Sequence, residues 1–329
     1  MPPALRDRLL AFCATDPARI KGDYDPYLYR YYRKLFDDPR EAAGFLRWSD
    51  HLAKHLAIPG GRLLDNGCGF GLTCLGFLAS PTPPAQVVGL DPSQGKIDVL
   101  QKIASALDLG PDRLQPQLAD GMALPFEAGS FDGVFVKDVA SHVCDRDAFF
   151  SEIARVLKPG GKLLLTDENN AISIAGLRER QAIWKSYEEG PLPGDAWNAL
   201  TFRADRLRLI TEWRPELSQD ARDRLAAASR GMWGHEFEAA IRAHKSGQPF
   251  RNTADFPYRS PVSGEYMEFP FNPFALCREL GRFGLKAHLI PPAYRTGKAA
   301  KQLIGNAIAA LHPLSIVVQS SFYLVGLKG

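Results

Sequence analysis

The sequence predicts an α/β protein whose core is a doubly wound, mostly parallel sheet. Five short apolar runs recur along the first half of the chain, and they are RLLD (62–65), QVVGLD (86–91), LQPQLAD (114–120), FDGVFV (131–136) and KLLLT (162–166). Two of the stretches between them, 96–107 and 147–157, carry apolar residues at i, i+3 or i+4 and i+7, which is typical of a helix packed on a sheet. Strands that alternate with such helices pair in parallel and are covered on both faces.

The first 60 residues precede this core and are predicted to be helical, because apolar and aromatic residues recur at helical spacing before Pro59-Gly60-Gly61 ends the pattern. We predict that residues 1–60 form a lid. Tyr24 and Tyr27, from a tyrosine-rich segment, are candidate substrate-binding residues. Simple packing of that helix is the alternative.

Residues 169–270 break the alternation of strands and helices. This segment holds four of the five tryptophans among many arginines that acids balance. We predict a mostly helical insertion that caps the core and binds the acceptor of the reaction. Arg178 is a candidate contact for an anionic acceptor, and a solvated helical surface is the alternative.

The core is predicted to comprise residues 61–168 and 271–329, with a helix and short strand at 273–290 and a final strand at 320–328. The segment 301–311 between them is amphipathic. Its apolar face consists of Leu303, Ile304, Ala307, Ile308 and Leu311. A core helix or a homodimer interface is the first interpretation of this face, and docking on a membrane surface or lining of an apolar acceptor pocket is the second.

Composition excludes several classes of protein. The 329 residues are 45% hydrophobic and 23% charged, which argues against intrinsic disorder, and a net charge of +3 is too small for a nucleic-acid binder. Five scattered cysteines without a C-x-x-C pair exclude a disulfide framework and a cysteine-built zinc site, so no metal is expected. No signal-peptide pattern and no membrane-spanning tract is evident, so the cytoplasm is the expected location.

The most informative segment is the glycine-rich loop that follows the first strand. Leu63-Leu64-Asp65 ends in an acid, and Gly67, Gly69 and Gly71 then open a helix. Glycine is required where a chain turns sharply and its backbone must approach a ligand closely. Dinucleotide-binding folds use G-x-G-x-x-G, whereas the third glycine here comes one residue earlier.

Acidic residues close the next two strands. Asp91 follows the loop by about 20 residues, where a carboxylate can accept hydrogen bonds from both hydroxyls of a ribose. Asp120, followed by Gly121, closes the third strand. Each acid alone is compatible with a helix cap or a solvated turn, but acids at successive strand ends point to a ligand site at one edge of the sheet.

At this point the sequence resembles the class I S-adenosylmethionine-dependent methyltransferases, in particular the branch with quinone-biosynthesis and small-molecule methyltransferases. LLDNGCGFG is similar to the first motif of that family, and VVGLDPS is similar to its ribose-binding strand. ADGMALPF, FDGVFVKDVASHV and IARVLKPGGKLLLTD follow in the family's order. The resemblance covers residues 60–168 densely and 273–329 loosely, and it implies a seven-stranded Rossmann-like methyltransferase core.

The resemblance also implies a cofactor, S-adenosyl-L-methionine, and residues that would bind it. Gly67, Gly69 and Gly71 would line its methionyl part, with Asp65 near the amino group. The other implied contacts are Asp91 at the ribose, Asp120 at the adenine amino group, Gly121 and Met122 at the ring, and the Lys137 backbone near the sulfonium. Asn66 departs from the apolar or small residue usual at its position, and Lys137-Asp138 is more charged than is common.

Methyl transfer is an in-line displacement with a neutral leaving group, so the enzyme's main task is to position the nucleophile. A hydroxyl acceptor also needs a general base, which contributes about 10²–10⁴-fold. His142, just past the fourth strand, is the leading candidate, and a histidine that only fixes the loop is the alternative. Asp138 and Glu168 are further catalytic candidates, although a binding or capping role is the simpler interpretation of both.

The expected function is methyl transfer to a small-molecule, glycan or lipid-linked acceptor, most simply at oxygen, with carbon or nitrogen as alternatives. A nicotinamide-dependent oxidoreductase and a catalytically inactive, methyltransferase-like binding protein are the competing classes. The glycine spacing disfavours the first, and the intact ligand positions disfavour the second. The fourth strand ends in KDVAS rather than the Asn/Asp-Pro-Pro-aromatic motif of base-amino methylation, so nucleic acid is not an expected partner.

Overall fold

A computed structural model describes residues 4–143, 145–194, 196, 198–245, 248–254, 256–264, 268–292 and 299–329, and it gives the backbone alone at 175 and 299–302. The chain divides into two compact units. The first comprises Met1–Ser173 and Phe271–Gly329, and the second is Ile174–Pro270. The first 60 residues therefore belong to the same unit as the strands that follow them.

The first unit is built on a seven-stranded sheet. Its strands are β1 (Arg62–Asn66), β2 (Gln86–Asp91), β3 (Leu114–Leu118), β4 (Phe131–Lys137), β5 (Leu157–Asp167), β6 (Leu285–Leu289) and β7 (Phe322–Lys328). They lie in the order β3-β2-β1-β4-β5-β7-β6. The first five pair in parallel, and β7 runs antiparallel to both of its neighbours. The predicted doubly wound, mostly parallel sheet of seven strands is confirmed.

The helices follow the predicted alternation. They are α1 (Leu5–Cys13), α2 (Pro17–Arg19), α3 (Pro26–Asp37), α4 (Pro39–Leu56), α5 (Leu72–Leu78), α6 (Gln94–Ala106), α7 (Arg146–Val156), α8 (Ile174–Glu189), α9 (Phe202–Trp213), α10 (Gln219–Ala228), α11 (Gly234–Ala243), α12 (Pro273–Leu280) and α13 (Ala299–Ala310). Several begin at a side chain that caps them: Asp25 accepts from the amides of Tyr27 and Leu28, and Asp145 accepts from the amide of Ala148.

The two faces of the sheet bury separate apolar clusters, because successive side chains of a strand point to opposite faces. Leu63 of β1 joins a cluster with residues of α4, α5 and α6. Its neighbour Leu64 joins a second cluster with residues of α7 and α12. Because both faces of the sheet are buried, the strands are nearly continuous apolar runs. Because the first five strands are parallel, their polar carboxyl ends lie at one edge of the sheet.

The second unit contains α8 to α11 and a small apolar core. Ile210, Leu225, Phe237 and Ile241 lie at its centre. It also buries an ion pair: Arg206 is fully buried and its guanidinium contacts the carboxylate of Glu188, which is 3% exposed. A second contact joins Arg206 Nη1 to Glu188 Oε2 at 3.3 Å. The charged residues of this unit are therefore not all at its surface.

Helix α13 differs from the first interpretation of its sequence. Leu303 and Ile304 are 72% and 61% exposed, and Leu311, just past the helix, is 64% exposed. The interpretation as a core helix is wrong for these side chains, since the buried position between them is Gly305. Along the described helices, none has both the length and the apolar character needed to cross a bilayer.

Candidate active site

The glycine loop folds over the end of β2. The amides of Gly67 and Cys68 both donate to the carbonyl oxygen of Leu90, at 2.8 Å each. Gly67, Gly69 and Gly71 all have positive φ, at 87°, 56° and 76°. A Cβ at Gly71 would lie 2.1 Å from Leu100 Cδ1. A Cβ at Gly67 would likewise lie 2.3 Å from Val139 Cγ2. The loop therefore needs glycine for its backbone conformation at all three positions, and at Gly67 and Gly71 also for packing.

The surroundings of Gly69 differ from those of Gly67 and Gly71. A Cβ there would have no heavy atom of the described protein within 4 Å, so the loop borders open space at this point. Close by in sequence, Asn66 is 1% exposed and its Nδ2 has no hydrogen-bond partner among the described residues. Buried donors are normally satisfied. The open space beside the Gly69 backbone fits a bound polar ligand.

Asp65 is a buried acid at the carboxyl end of β1, beside the glycine loop. Its carboxylate is 1% exposed at the end of β1, and Cys74 Sγ donates to its Oδ2 at 3.2 Å. Burial raises the pKa of Asp65 to about 7, although the nearby Lys137 opposes the shift. A cationic group placed next to this carboxyl would favour its ionised form.

Asp91 links the second strand to the glycine loop. Its Oδ2 accepts from the amide of Gly69 at 2.9 Å, and its Oδ1 accepts from the amide of Ser93 at 3.0 Å. Lys96 Nζ lies 3.6 Å from Oδ2. A carboxylate offers about four acceptor positions, so these two amides leave capacity for a diol. The structure thus brings Asp91 and Gly69 into direct contact.

The loop after β3 packs against the end of β1. Asp120 is exposed, and its Oδ1 accepts from the amide of Met122 at 2.9 Å. Gly121 lies against Asn66, because a Cβ at Gly121 would be 2.6 Å from Asn66 Oδ1. The predicted cofactor residues of the first three strands therefore meet at one edge of the sheet.

A second set of polar residues lies at the ends of β4 and β5. Lys137 forms an ion pair with Asp138, whose φ is 52°. Asp138 Oδ1 accepts from the amide of Glu168 at 3.1 Å, and the Asp138 amide donates to Thr166 at 2.9 Å. Asp138 therefore ties two strand ends together, as expected of a structural residue. His142 is exposed at the end of a short 3₁₀ turn, Ala140–His142.

Asp167 is a site residue that sequence reasoning missed. It is fully buried and accepts from the amides of Ser141 and Asn169, at 3.1 and 3.0 Å. Burial, and then the charge of Asp138, raises the pKa of Asp167 to about 6. Because Ser141 precedes His142, this carboxylate fixes the turn that presents the histidine. Its place as the last residue of an apolar strand followed by Glu168 is the signal that could have revealed it.

A cavity of about 340 Å³ opens within the first unit beside these strand ends. Its lining combines Lys137 and Glu168 with Trp48 of α4, Ile308 of α13, Tyr323 of β7 and residues of the connections after β6 and before β7: Pro292, Val318, Gln319, Ser320 and Ser321. Trp48 Nε1 donates to the Tyr323 hydroxyl at 3.1 Å. The volume and mixed lining suit a small organic molecule. Sequence reasoning missed Trp48 and Tyr323, which lie 275 positions apart.

The two predicted substrate-binding tyrosines, Tyr24 and Tyr27, are not among the described residues that line this cavity. Tyr24 packs edge-on against Phe12, with ring centroids 5.3 Å apart, and Tyr27 is 60% exposed. Tyr31, one helical turn beyond Tyr27, is the tyrosine whose ring lies near the glycine loop, 6.3 Å from that of Phe70. Arg178 is exposed on α8 of the second unit.

Comparison with known proteins agrees with this geometry. Residues 64–165 match the family model described as a methyltransferase domain. The chain is 38% identical over 109 residues to an O-methyltransferase of Pyrenophora dematioidea, covering 33% of this chain and 40% of that protein. It is 37% identical over 131 residues to the methyltransferase GfsG of Streptomyces halstedii, covering 40% and 46%.

A third relative is the demethylmenaquinone methyltransferase of Symbiobacterium thermophilum, 32% identical over 155 residues, with 44% of this chain and 61% of that protein covered. The chain therefore spans less than two thirds of the length of each of these relatives. The matched part contains β1 to β5 and the glycine loop. The resemblance to class I methyltransferases of small molecules is confirmed for this part of the chain.

Proposed function

We propose that this protein transfers a methyl group from S-adenosyl-L-methionine to a small-molecule acceptor. The observation that carries the proposal is the glycine loop of the methyltransferase domain: it is tied to Asp91 through the Gly69 amide and borders open space at Gly69. Acceptor-specific enzymes of one fold differ mainly around the second substrate, so this edge of the sheet supports the reaction class more strongly than it supports any one acceptor.

The residues present fit the cofactor. Gly67, Gly69 and Gly71 would lie along its methionyl part, and Asp65 would pair with its amino group. Asp91 would accept hydrogen bonds from the ribose hydroxyls. The remaining proposed contacts are Asp120, Gly121 and Met122 at the adenine and the Lys137 backbone near the sulfur. When bound, this cofactor supplies a methyl group on a positively charged sulfur, whose departure leaves a neutral product.

We place the acceptor in the 340 Å³ cavity, because its lining includes Lys137 and Glu168 from the ends of β4 and β5. Oxygen is the proposed acceptor atom, since three of the similar proteins are named O-methyltransferases. His142 is the proposed general base: its imidazole would take the hydroxyl proton, and Asp167 would hold the turn in place through the Ser141 amide. Asp138 and Glu168 would organise the same strand ends.

Calorimetric titration with S-adenosylhomocysteine tests the cofactor assignment. The wild-type protein should bind it at micromolar concentration. Asp91→Asn should weaken binding by about tenfold or more, because the amide has no charge and only one acceptor oxygen for the ribose hydroxyls. Asp138→Asn is the matched control, with the same loss of charge at the end of β4, two strands away, and an amide that tolerates positive φ.

The control should bind within about threefold of the wild type, since its bonds lie within the β4–β5 loops. Folded wild-type protein that shows no binding would reject the assignment. So would equal losses in the two variants, because the ribose site would then not lie at Asp91. A thermal shift with NADH in place of S-adenosylhomocysteine would indicate the nicotinamide-dependent class instead.

A further inference from the structure

Cys74 is a buried thiol beside the glycine loop to which the proposed reaction assigns no role. It lies in the first turn of α5 and is fully buried. Its Sγ donates to Asp65 Oδ2 at 3.2 Å. A buried cysteine usually behaves as a small apolar side chain and needs no polar acceptor. A thiol that donates to a buried carboxyl instead affects the ionisation and the orientation of that carboxyl.

The neighbouring strand leaves room for this contact. Gly89 of β2 is the register partner of Asp65. A Cβ at Gly89 would lie 3.0 Å from Cys74 Sγ and 3.2 Å from Cys68 Sγ, so any larger residue would crowd both sulfurs. The two thiols are in hydrogen-bond contact with each other. Because sulfur is a weak acceptor, the single hydrogen of Cys74 goes to the carboxylate of Asp65.

Other titratable groups face Asp65 from the adjacent elements. Burial raises the pKa of Asp65 to about 7, and the strongest influence that opposes this rise is the hydrogen bond from Cys74. The charge of Lys137, at the end of β4, opposes it next, and the charge of Asp91, at the end of β2, adds to it. Cys68 faces the same group from the glycine loop. The thiol of Cys74 therefore favours the ionised carboxyl more than the nearby lysine does.

We infer that Cys74 is a positioning residue of the cofactor site, whose thiol keeps the Asp65 carboxylate ionised and oriented for the amino group of the cofactor. This inference rests on the proposed function. The thiol uses one of about four acceptor positions of the carboxylate, so the others remain for an ammonium group. An ammonium group pairs with the ionised carboxyl, and its affinity falls when the carboxyl takes up a proton. Cys74 thus extends cofactor binding to lower pH.

Two substitutions at position 74 separate the hydrogen bond from packing. Cys74→Ala removes the donor, whereas Cys74→Ser replaces the thiol by a hydroxyl and keeps a donor. Calorimetric titration with S-adenosylhomocysteine between pH 6 and pH 8.5 measures the affinity of each variant. Loss of the donor should move the midpoint of the pH dependence up by about one pH unit. Cys74→Ala should therefore bind about tenfold more weakly than the wild type at pH 6, and within about twofold of it at pH 8.5.

Cys74→Ser should bind within about threefold of the wild type at both pH values, because it keeps the hydrogen bond. Cys13→Ala is the control for loss of a buried thiol, since Cys13 is 3% exposed and lies in α1. It should bind as the wild type does. Equal losses in Cys74→Ala and Cys74→Ser would overturn the inference, as would wild-type affinity of Cys74→Ala at pH 6.

Urea unfolding of the ligand-free variants is a second test, and its outcome does not depend on the proposed activity. A carboxyl whose pKa is raised in the folded state loses its contribution to stability as pH rises towards that pKa. The free energy of unfolding of Cys74→Ala, relative to that of Cys74→Ser, should therefore fall between pH 7 and pH 8.5 and stay constant below pH 6. Parallel curves would overturn the inference even if the cofactor binds. Diverging curves in a protein that does not bind S-adenosylhomocysteine would instead reject the proposed function and uphold the effect of the thiol on Asp65.

Discussion

Both compact units bury carboxylates, but they compensate the negative charge in different ways. In the first unit, Asp65 and Asp167 are at most 1% exposed, and their hydrogen-bond donors are a thiol, backbone amides and an asparagine side chain. In the second unit, Glu188 is 3% exposed and contacts Arg206, with Arg230 Nε at 3.6 Å. Among the described residues, Asp65 and Asp167 of the first unit thus have no cation in hydrogen-bond contact, whereas Glu188 of the second unit is paired with arginine.

This difference indicates what each acid is for. A buried carboxyl that lacks a cationic partner is costly, and its raised pKa records that cost. Such groups are common where a ligand later supplies the missing charge. A buried acid that is already paired has no remaining charge to offer, so its role is to hold the fold. We therefore expect substitutions at Glu188 and Asp65 to change stability in opposite directions.

The largest effect is expected at the paired acid. Glu188→Gln leaves the guanidinium of Arg206 buried without a countercharge, and breaking a buried pair in this way costs about 3–5 kcal/mol. Four of the five tryptophans lie between positions 174 and 270, so guanidinium denaturation followed by tryptophan fluorescence reports mainly on the second unit. The midpoint of that transition should fall sharply.

Glu212→Gln is the matched control. It removes an exposed partner of Arg208, at 3.9 Å on the same helix, and surface pairs of this kind contribute about 0.2–1 kcal/mol. Equal shifts in the two variants would show that the pair between Glu188 and Arg206 does not stabilise the unit, and the contrast between the two units would then fail.

The second largest effect is expected at Asp65, the buried acid without a cationic partner in hydrogen-bond contact. Asp65→Asn should increase the stability of the protein by an amount that depends on pH. The pKa of Asp65 in the folded protein is about 7, above its ordinary value of 3.8. The folded state therefore keeps a proton that the unfolded chain has lost, so this group's contribution to stability falls as pH rises from about 4 to about 7. Asp65→Asn removes this titration and keeps an acceptor for Cys74.

As pH increases from 5 to 7, the free energy of unfolding of the Asp65→Asn variant should rise relative to that of the wild type by about 1.4 kcal/mol for each pH unit. Urea unfolding followed by circular dichroism at several pH values measures the difference. Asp98→Asn, at an exposed acid of α6, is the matched control for the loss of one carboxylate. A difference for Asp65→Asn that varies with pH no more than that of the control would mean that the buried carboxyl is already ionised and compensated.

Much of the first unit could be predicted from the sequence, because local signals determine it. Alternating strands and helices predict the sheet, and the glycines of the loop are required by their own positive φ. Asp91 could be found because its distance from the loop along the chain is fixed by one strand and one helix. These features depend on neighbours in sequence, so no knowledge of distant contacts is needed.

The remaining features depend on contacts that the sequence pattern does not contain. Trp48 and Tyr323 form a hydrogen bond although they are 275 positions apart in the sequence, and no local sequence pattern identifies either one as a cavity residue. An amphipathic pattern predicted an apolar face on α13, but it could not show that Gly305 would be buried and Leu303 exposed. Balanced charge in the second unit likewise gave no sign that Arg206 and Glu188 are inside it.

The smallest effect on stability is expected at His142, because its side chain is exposed whereas the acids compared above are buried. His142→Gln should change the free energy of unfolding by less than about 0.5 kcal/mol, because the substitution is at an exposed position. If His142 is the general base, the same variant should lower kcat by about 10²–10⁴-fold, with little change in cofactor binding. A variant whose kcat is unchanged would leave the histidine as a residue of the turn, and the buried Asp167 would then serve to hold that turn alone.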